Sequence, residues 1–263
     1  MSSKTETLNL KYTYGPVASW RLGSSLGVDL LSGKEKICTY NCIYCQLGRK
    51  VIYTLERKNF VPVDRIIKEI ESLPEINIDY ITFSGRGEPT IASNLSETVR
   101  AIKNIRKEKI AILTNSSLMY REDVKKDLLS FDFVIAKLDA TSRFLFEKIN
   151  YPARKLSLEK IMQSLIDFRK EFHGKFALQI MFINLNKAQA QEIAEFARLV
   201  KPDEVQINTP LRPCPVPPLS REEIAKIKEY FTNLNAITVY ESKIKKVTPI
   251  SKKETMERRG KVI

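Results

Sequence analysis

Three of the four cysteines fall within eight positions, in Cys38-Thr-Tyr-Asn-Cys42-Ile-Tyr44-Cys45. Four cysteines in 263 residues are too few for a disulfide scaffold, and intervals of three and two residues let a single loop turn three sulfurs toward one metal centre. A [4Fe–4S] cube held by three thiolates keeps one iron without a protein ligand, open to a cofactor or substrate. The alternative, a structural zinc ion, needs four ligands for a closed site, and the only histidine, His173, lies more than a hundred residues downstream. Cys214 stands apart, in the stiff loop Arg-Pro-Cys-Pro, as either a small buried hydrophobe or a hydrogen donor near a substrate.

The elements that must position these residues alternate. Apolar runs at 25–31, 79–83, 110–113, 133–138, 176–183 and 204–207 read as strands, and amphipathic segments at 63–73, 95–107, 122–129, 157–172, 188–200 and 220–231 read as helices. The pattern predicts an α/β fold with a mostly parallel sheet of six strand–helix units, with 236–240 as an added edge strand. The expected organisation is an N-terminal cap over 1–24, a core over 25–241 and a basic tail over 242–263. In parallel α/β folds the chemistry gathers at the C-terminal ends of strands, here 38–45, 84–90, 114–117, 139–141, Asn184 and 208–212. Lys137 and Asp139 interrupt an apolar strand and need partners; they serve either each other's neighbours or a site. Gln179 breaks the fifth strand, Asn208 ends the sixth, and Asn115 follows the third, where it either satisfies a turn or faces a ligand. Before the first strand, Trp20 and Arg21 form either a lid with a stacking surface or a packed cap, and His173 reads as an exposed helix end.

Cys-x-x-x-Cys-x-x-Cys with Tyr44 before its last cysteine, together with Ser84-Gly85-Arg86-Gly87-Glu88-Pro89-Thr90 after the second strand, resembles the radical S-adenosylmethionine (SAM) superfamily. Arg86 stands where the commonest form of the second motif has glycine. The resemblance implies a partial (β/α)6 barrel of the radical SAM type, a [4Fe–4S] cluster on Cys38, Cys42 and Cys45, and SAM chelated to the open iron. It implies that the turn Gly85, Gly87, Glu88 and Pro89 holds the amino group of SAM, serving SAM rather than the cluster. Tyr44, Asn115, Asp139, Gln179 and Asn208 are then cofactor contacts, and Lys137 and Cys214 are candidates to act on substrate. Reductive cleavage of SAM by an electron from a donor such as ferredoxin or flavodoxin would yield a 5′-deoxyadenosyl radical that abstracts hydrogen from a substrate. Within the superfamily the strings resemble the group near the wyosine tRNA synthases. Those carry a second three-cysteine cluster, which one remaining cysteine cannot build.

With 43% apolar and 29% charged residues the chain is neither collagenous nor disordered, and no apolar run reaches the roughly 18 residues of a membrane span. The N-terminus lacks an apolar signal region, so a cytoplasmic protein with no membrane partner is expected. Net charge is +13, with eight basic against two acidic residues from Ser242 to Ile263, a distribution that makes RNA, tRNA included, a candidate partner. A protein-directed radical enzyme such as a glycyl-radical activase, and a cluster-binding protein without turnover, are the alternatives; oligomeric state is left open.

Overall fold

The computed structural model describes residues 11–33 and 35–259; the first ten residues of the expected cap and the last four of the expected tail lie outside them. Eighteen strands and helices follow one another: β1 (Thr13–Ser19), β2 (Gly23–Val28), β3 (Ile37–Cys38), β4 (Ile52–Tyr53), α1 (Val63–Glu71), β5 (Tyr80–Phe83), α2 (Leu95–Ile105), β6 (Lys109–Thr114), α3 (Glu122–Leu128), β7 (Phe133–Lys137), α4 (Arg143–Asn150), α5 (Leu158–Glu171), β8 (Lys175–Met181), α6 (Ala190–Val200), β9 (Glu204–Asn208), α7 (Arg221–Lys228), β10 (Ala236–Thr238) and α8 (Lys252–Arg259). Eight strands form one sheet in the order β1-β2-β5-β6-β7-β8-β9-β10, parallel from β2 onward, and β3 and β4 form a small parallel ribbon. The sheet curls into a half-barrel with its helices outside: the alternation predicted the mostly parallel sheet, and the resemblance implied the partial barrel. No helix of the described residues is long and apolar enough to cross a membrane.

The period of two along each strand separates two environments. Outward residues such as Leu26, Ile81, Ile112, Val134, Leu178 and Val205 are fully buried against the helices and form the main core. Inward, Leu22, Ala111, Phe133, Ile135 and Ala177 form a second, smaller cluster, an apolar floor. One step toward the strands' C-terminal ends the inward face turns polar, with Lys137, Gln179 and Gln206 side by side in register. The cysteine loop lies beyond that layer, past the end of β3.

Several boundaries differ from the sequence reading. The first parallel strand ends at Val28 instead of running to 31, because the Asp29 carboxylate accepts the Leu31 amide (3.1 Å) and turns the chain. Residues expected to cap the barrel instead add a strand, β1, antiparallel to β2 at the sheet edge. Residues 252–259 of the expected tail form α8, packed on β1, and Arg258 within it is only 3% exposed. Helix α4 adds to the expected elements, and its C-terminal end holds the cysteine loop.

Candidate functional site

The loop that carries Cys38, Cys42 and Cys45 is zipped by backbone hydrogen bonds to the end of α4. Asn41 N donates to Asn150 O (2.9 Å), Ile43 N to Ile149 O (2.9 Å) and Ala153 N to Thr39 O (2.8 Å). At its far side Lys36 Nζ closes the loop by donating to Asn41 Oδ1 (2.8 Å) and Gly48 O (2.6 Å). All three cysteines are free and half-buried, and N–H groups point at two of the sulfurs. Asn150 Nδ2 lies 3.4 Å from Cys42 Sγ, while Asn115 Nδ2 and Tyr40 N lie 3.6 and 3.5 Å from Cys38 Sγ. Burial, aggravated by the Glu88 carboxylate, pushes the Cys38 thiol up, and burial does the same to Cys42. Buried sulfurs that resist ionisation alone yet face N–H donors are a donor set suited to an electron-deficient metal group. Among the described residues no three His, Cys, Asp or Glu side chains gather tightly enough to hold a single metal ion.

The glycine turn abuts this loop. Ile37, one residue before Cys38, pairs with Gly87 as a parallel bridge, with Ile37 N donating to Arg86 O (3.0 Å) and Glu88 N to Ile37 O (3.1 Å). Gly87 sits at φ 155°, and a Cβ there would meet Ile37 O at 1.6 Å. A Cβ on Gly85, at φ 145°, would meet the Asp29 carboxyl carbon at 2.3 Å. The turn expected to serve SAM alone therefore spends two backbone groups on holding the cysteine loop. Glu88, 2% exposed, points away from solvent and accepts four hydrogen bonds, from Thr90 N and Oγ1, Thr114 Oγ1 and Asn115 N (2.7–3.1 Å). Burial raises its pKa although all four donors oppose the shift. Its carboxylate welds the turn to the end of β6.

Tyr44 and Asp139 meet beneath the loop. The Tyr44 hydroxyl donates to Asp139 Oδ2, which also receives Asn150 Nδ2 (2.7 Å), while Asp139 Oδ1 accepts Met181 N (2.9 Å). Lys137 Nζ approaches the same hydroxyl at 3.0 Å and lies 4.6 Å from the centroid of the Tyr44 ring. Asp139, expected to reach SAM, is thus 2% exposed and engaged by three donors, whereas Lys137 remains half-exposed on the inward face. Asn115, expected either to satisfy a turn or to face a ligand, accepts Ser117 N on its Oδ1 (3.0 Å) and donates from its Nδ2 to Thr39 Oγ1 in the loop (2.8 Å). Gln179 is 5% exposed with its Nε2 unpartnered, and Asn208 is buried at the end of β9 with no side-chain hydrogen bond among the described residues. Pro89 opens a 3-10 turn that carries Thr90. Cys214 donates to Val216 O (3.2 Å) within its own loop, which favours a packing role, and His173 is exposed.

Sequence reasoning missed Asn150, Asn186 and the pair Asp29–Arg258. Asn186, two residues beyond the Asn184 flagged at the strand end, is fully buried and donates to Asp139 O (2.8 Å) and Met181 O (3.0 Å). Arg258 Nε donates to Asp29 Oδ2 (3.2 Å), and the same oxygen accepts Arg86 N (3.3 Å). Arg86 in turn pairs with Glu257. No apolar period marks 252–259, and its mean hydropathy is too low to suggest burial, so the sequence carried no signal for this clasp.

Residues 36–197 match the protein-family model described as Radical SAM superfamily. A UPF0026 protein of Methanocaldococcus jannaschii is 38% identical over 231 residues, covering 84% of this chain and 71% of that one. A protein named GTPase Obg from Brachyspira hyodysenteriae is 39% identical over 238 residues, covering 87% of this chain but 35% of its own. Among solved structures, Streptococcus suis SuiB bound to S-adenosylmethionine superposes with a TM-score of 0.61 at 16% identity, over 82% of this chain and 50% of that one. A radical SAM methyltransferase from Sphaerobacter thermophilus gives 0.59 at 17% identity, over 82% and 66%. This chain thus spans about a third to a half of several of the proteins it resembles.

Proposed function

Because the chain belongs to the radical SAM superfamily of enzymes, and within it to the UPF0026 proteins, we propose that Cys38, Cys42 and Cys45 hold a [4Fe–4S] cluster beside which SAM binds and is cleaved reductively. The observation that carries this reading is the docking of the glycine turn on the residue before Cys38, which brings both motifs to one end of the half-barrel. When bound and reduced by an external donor, the cluster would supply the electron for breaking the sulfonium bond of SAM to the 5′ carbon, so that the resulting 5′-deoxyadenosyl radical could take hydrogen from a substrate. The chain's own residues bind, orient and exclude water. Asn150 and Asn115 direct N–H groups at Cys42 and Cys38, favouring the charged form of the sulfurs. Glu88 and Asp139 are absorbed in holding the walls of the site. Gln179 and Asn208 on the inward face keep polar atoms available for SAM or substrate. Lys137, poised under Tyr44, is the cation placed to meet the substrate. The apolar floor of Leu22, Phe133 and Ile135 closes the barrel below and keeps water from a reactive radical.

A tRNA substrate has less basis than the charge of the tail suggested. Arg258 is committed to Asp29 and Lys245 to Asp79 (2.6 Å), and removal of residues 242–263 would dismantle a buried ion pair as well as a cationic surface.

The test is anaerobic reconstitution with iron and sulfide, followed by reduction in the presence of SAM. About four irons per chain and release of 5′-deoxyadenosine without added substrate are expected, both lost in Cys42→Ala. A cluster that forms but never cleaves SAM would favour the non-catalytic alternative. Failure to bind iron would overturn the reading outright.

A further inference from the structure

We propose that Arg21, Arg212 and Arg259 form a recognition site for the phosphoryl groups of a small phosphorylated substrate, on the concave side of the half-barrel; the inference rests on the radical SAM reading for the role of that ligand as substrate. The three residues come from distant parts of the chain: the β1–β2 turn, the proline-rich loop after β9, and the last turn of α8. Arg212 Nη1 donates to Arg259 O (2.7 Å), which ties the loop to the helix end. Arg21 lies with its guanidinium 4.5 Å from the centroid of the Trp20 ring, and its Nε is buried without a hydrogen-bond partner.

What sets these arginines apart from an exposed one such as Arg65 is that they are half-buried and still lack a carboxylate. Among the described residues none of the three forms an ion pair, whereas their structural neighbours do: Arg258 with Asp29 and Glu254, Arg86 with Glu257. The acid whose field Arg21 feels is Glu204, and both Glu204 oxygens are taken, one by Lys175 Nζ (2.8 Å) and one by Gln206 Nε2 (2.7 Å). Burial and mutual repulsion pull Arg21 down to about 9 and Arg212 to about 10, and lower Arg259 through burial. Guanidiniums that repel one another in a half-buried setting gain most from a ligand of high negative charge, and their fork geometry matches phosphate oxygens two at a time.

A second, independent feature lies on the same concave face. Gln206 and Gln179 are cross-strand partners, 0% and 5% exposed, and Gln206 Oε1 and Gln179 Nε2 have no hydrogen-bond partner. Buried amides left unsatisfied destabilise the site, a loss that a polar ligand on this face would recover. They adjoin the arginines through Glu204, which bonds Gln206 and whose charge acts on Arg21. A small molecule fits this arrangement better than a polymer backbone, because the unpaired amides lie inside the barrel and not on its rim.

The sole tryptophan, stacked on Arg21, is a built-in reporter. The reconstituted full chain, without SAM or reductant, is titrated with inorganic pyrophosphate while Trp20 fluorescence and the thermal midpoint are followed. A saturable change in fluorescence with a rise in the midpoint is expected. Arg212→Gln and Arg259→Gln should each weaken binding about tenfold or more, with Arg212→Lys intermediate and the exposed Arg65→Gln unchanged. If a glutamine variant fails to fold, the wild-type titration and Arg212→Lys decide. Absence of saturable binding to wild type, or equal affinity in Arg65→Gln and Arg212→Gln, overturns the proposal. So does tighter binding of succinate, which would make the site a carboxylate site, or of a single-stranded RNA oligonucleotide, which would make it a polymer surface. 5′-Deoxyadenosine release by the same preparation keeps the two readings separate: release without pyrophosphate binding removes this site alone, and binding without release removes the SAM-cleavage reading alone.

Discussion

Replacing Arg258 by methionine tests whether the C-terminal helix is part of the site's scaffold. The Arg258 and Asp29 side chains are each 2% exposed, so water cannot compensate a lost partner. Breaking a buried pair by removing one member costs about 3–5 kcal/mol, since the remaining charge stays desolvated. For a chain of this size that corresponds to a fall in the thermal midpoint of about 6–20 °C. Converting both members, Asp29→Asn with Arg258→Met, removes the stranded charge and should restore much of the loss. The pH dependence supplies a sign. Burial already raises the Asp29 pKa against the pull of Arg258, and the single variant raises it further. A carboxyl whose folded pKa lies above its unfolded value contributes stability at pH below the unfolded value, and that contribution is lost as pH rises through the folded one. The deficit of Arg258→Met should therefore be partial at about pH 4.5, just above the unfolded value of about 3.9, and larger at about pH 7.5. Urea melts of the anaerobic, reconstituted protein at both values read it directly. A deficit under about 1 kcal/mol at the higher pH, or one that does not change with pH, would falsify the clasp as described.

Gly87→Ala should lose cluster iron together with SAM affinity, because its Cβ would meet Ile37 O at 1.6 Å, one residue from Cys38; normal iron content with weakened SAM binding would show that the turn serves SAM alone. Asn150→Leu removes N–H donors from Cys42 and Asp139, and such outer contacts are worth about 10–100-fold in metal affinity. Its reconstituted cluster should be reduced at a lower potential and lose iron faster to a chelator, and an unaltered potential in an EPR-monitored titration would count against the contact.

The two motifs were legible because each is local: cysteine spacing and a glycine-rich turn are properties of a few adjacent residues. The strands from residue 79 onward were legible for a related reason, since parallel strands buried on both faces read as continuous apolar runs. Function as partner choice was not. Glu88 was read as a ligand contact because its turn resembles the family's SAM-binding motif, and Asp139 because a charge in an apolar strand needs a partner. Their partners came from the protein itself, from Thr114 and Asn115 in one case and Tyr44 and Asn150 in the other. Asn150 could not be singled out, because an asparagine at a helix end is ordinary until a loop more than a hundred residues earlier is folded onto it. The segment 252–259 was read as part of a basic tail from its charge, yet Arg258 is buried because it pairs with Asp29.

That clasp joins residues 229 positions apart. On a ribosome adding about 5–20 residues per second, Asp29 emerges about 10–50 s before its cation is made. For that interval β2 has its neighbours along the sheet available in turn, each parallel strand arriving after the last, but the carboxylate at its end must remain hydrated and the glycine turn that leans on it unbraced. Completion of the site is thus a late event in the life of the chain: the cysteine loop can be assembled against α4 well before the turn beside it acquires its final support. A machinery that loads clusters onto nascent protein would meet the cysteines in place and their wall still open.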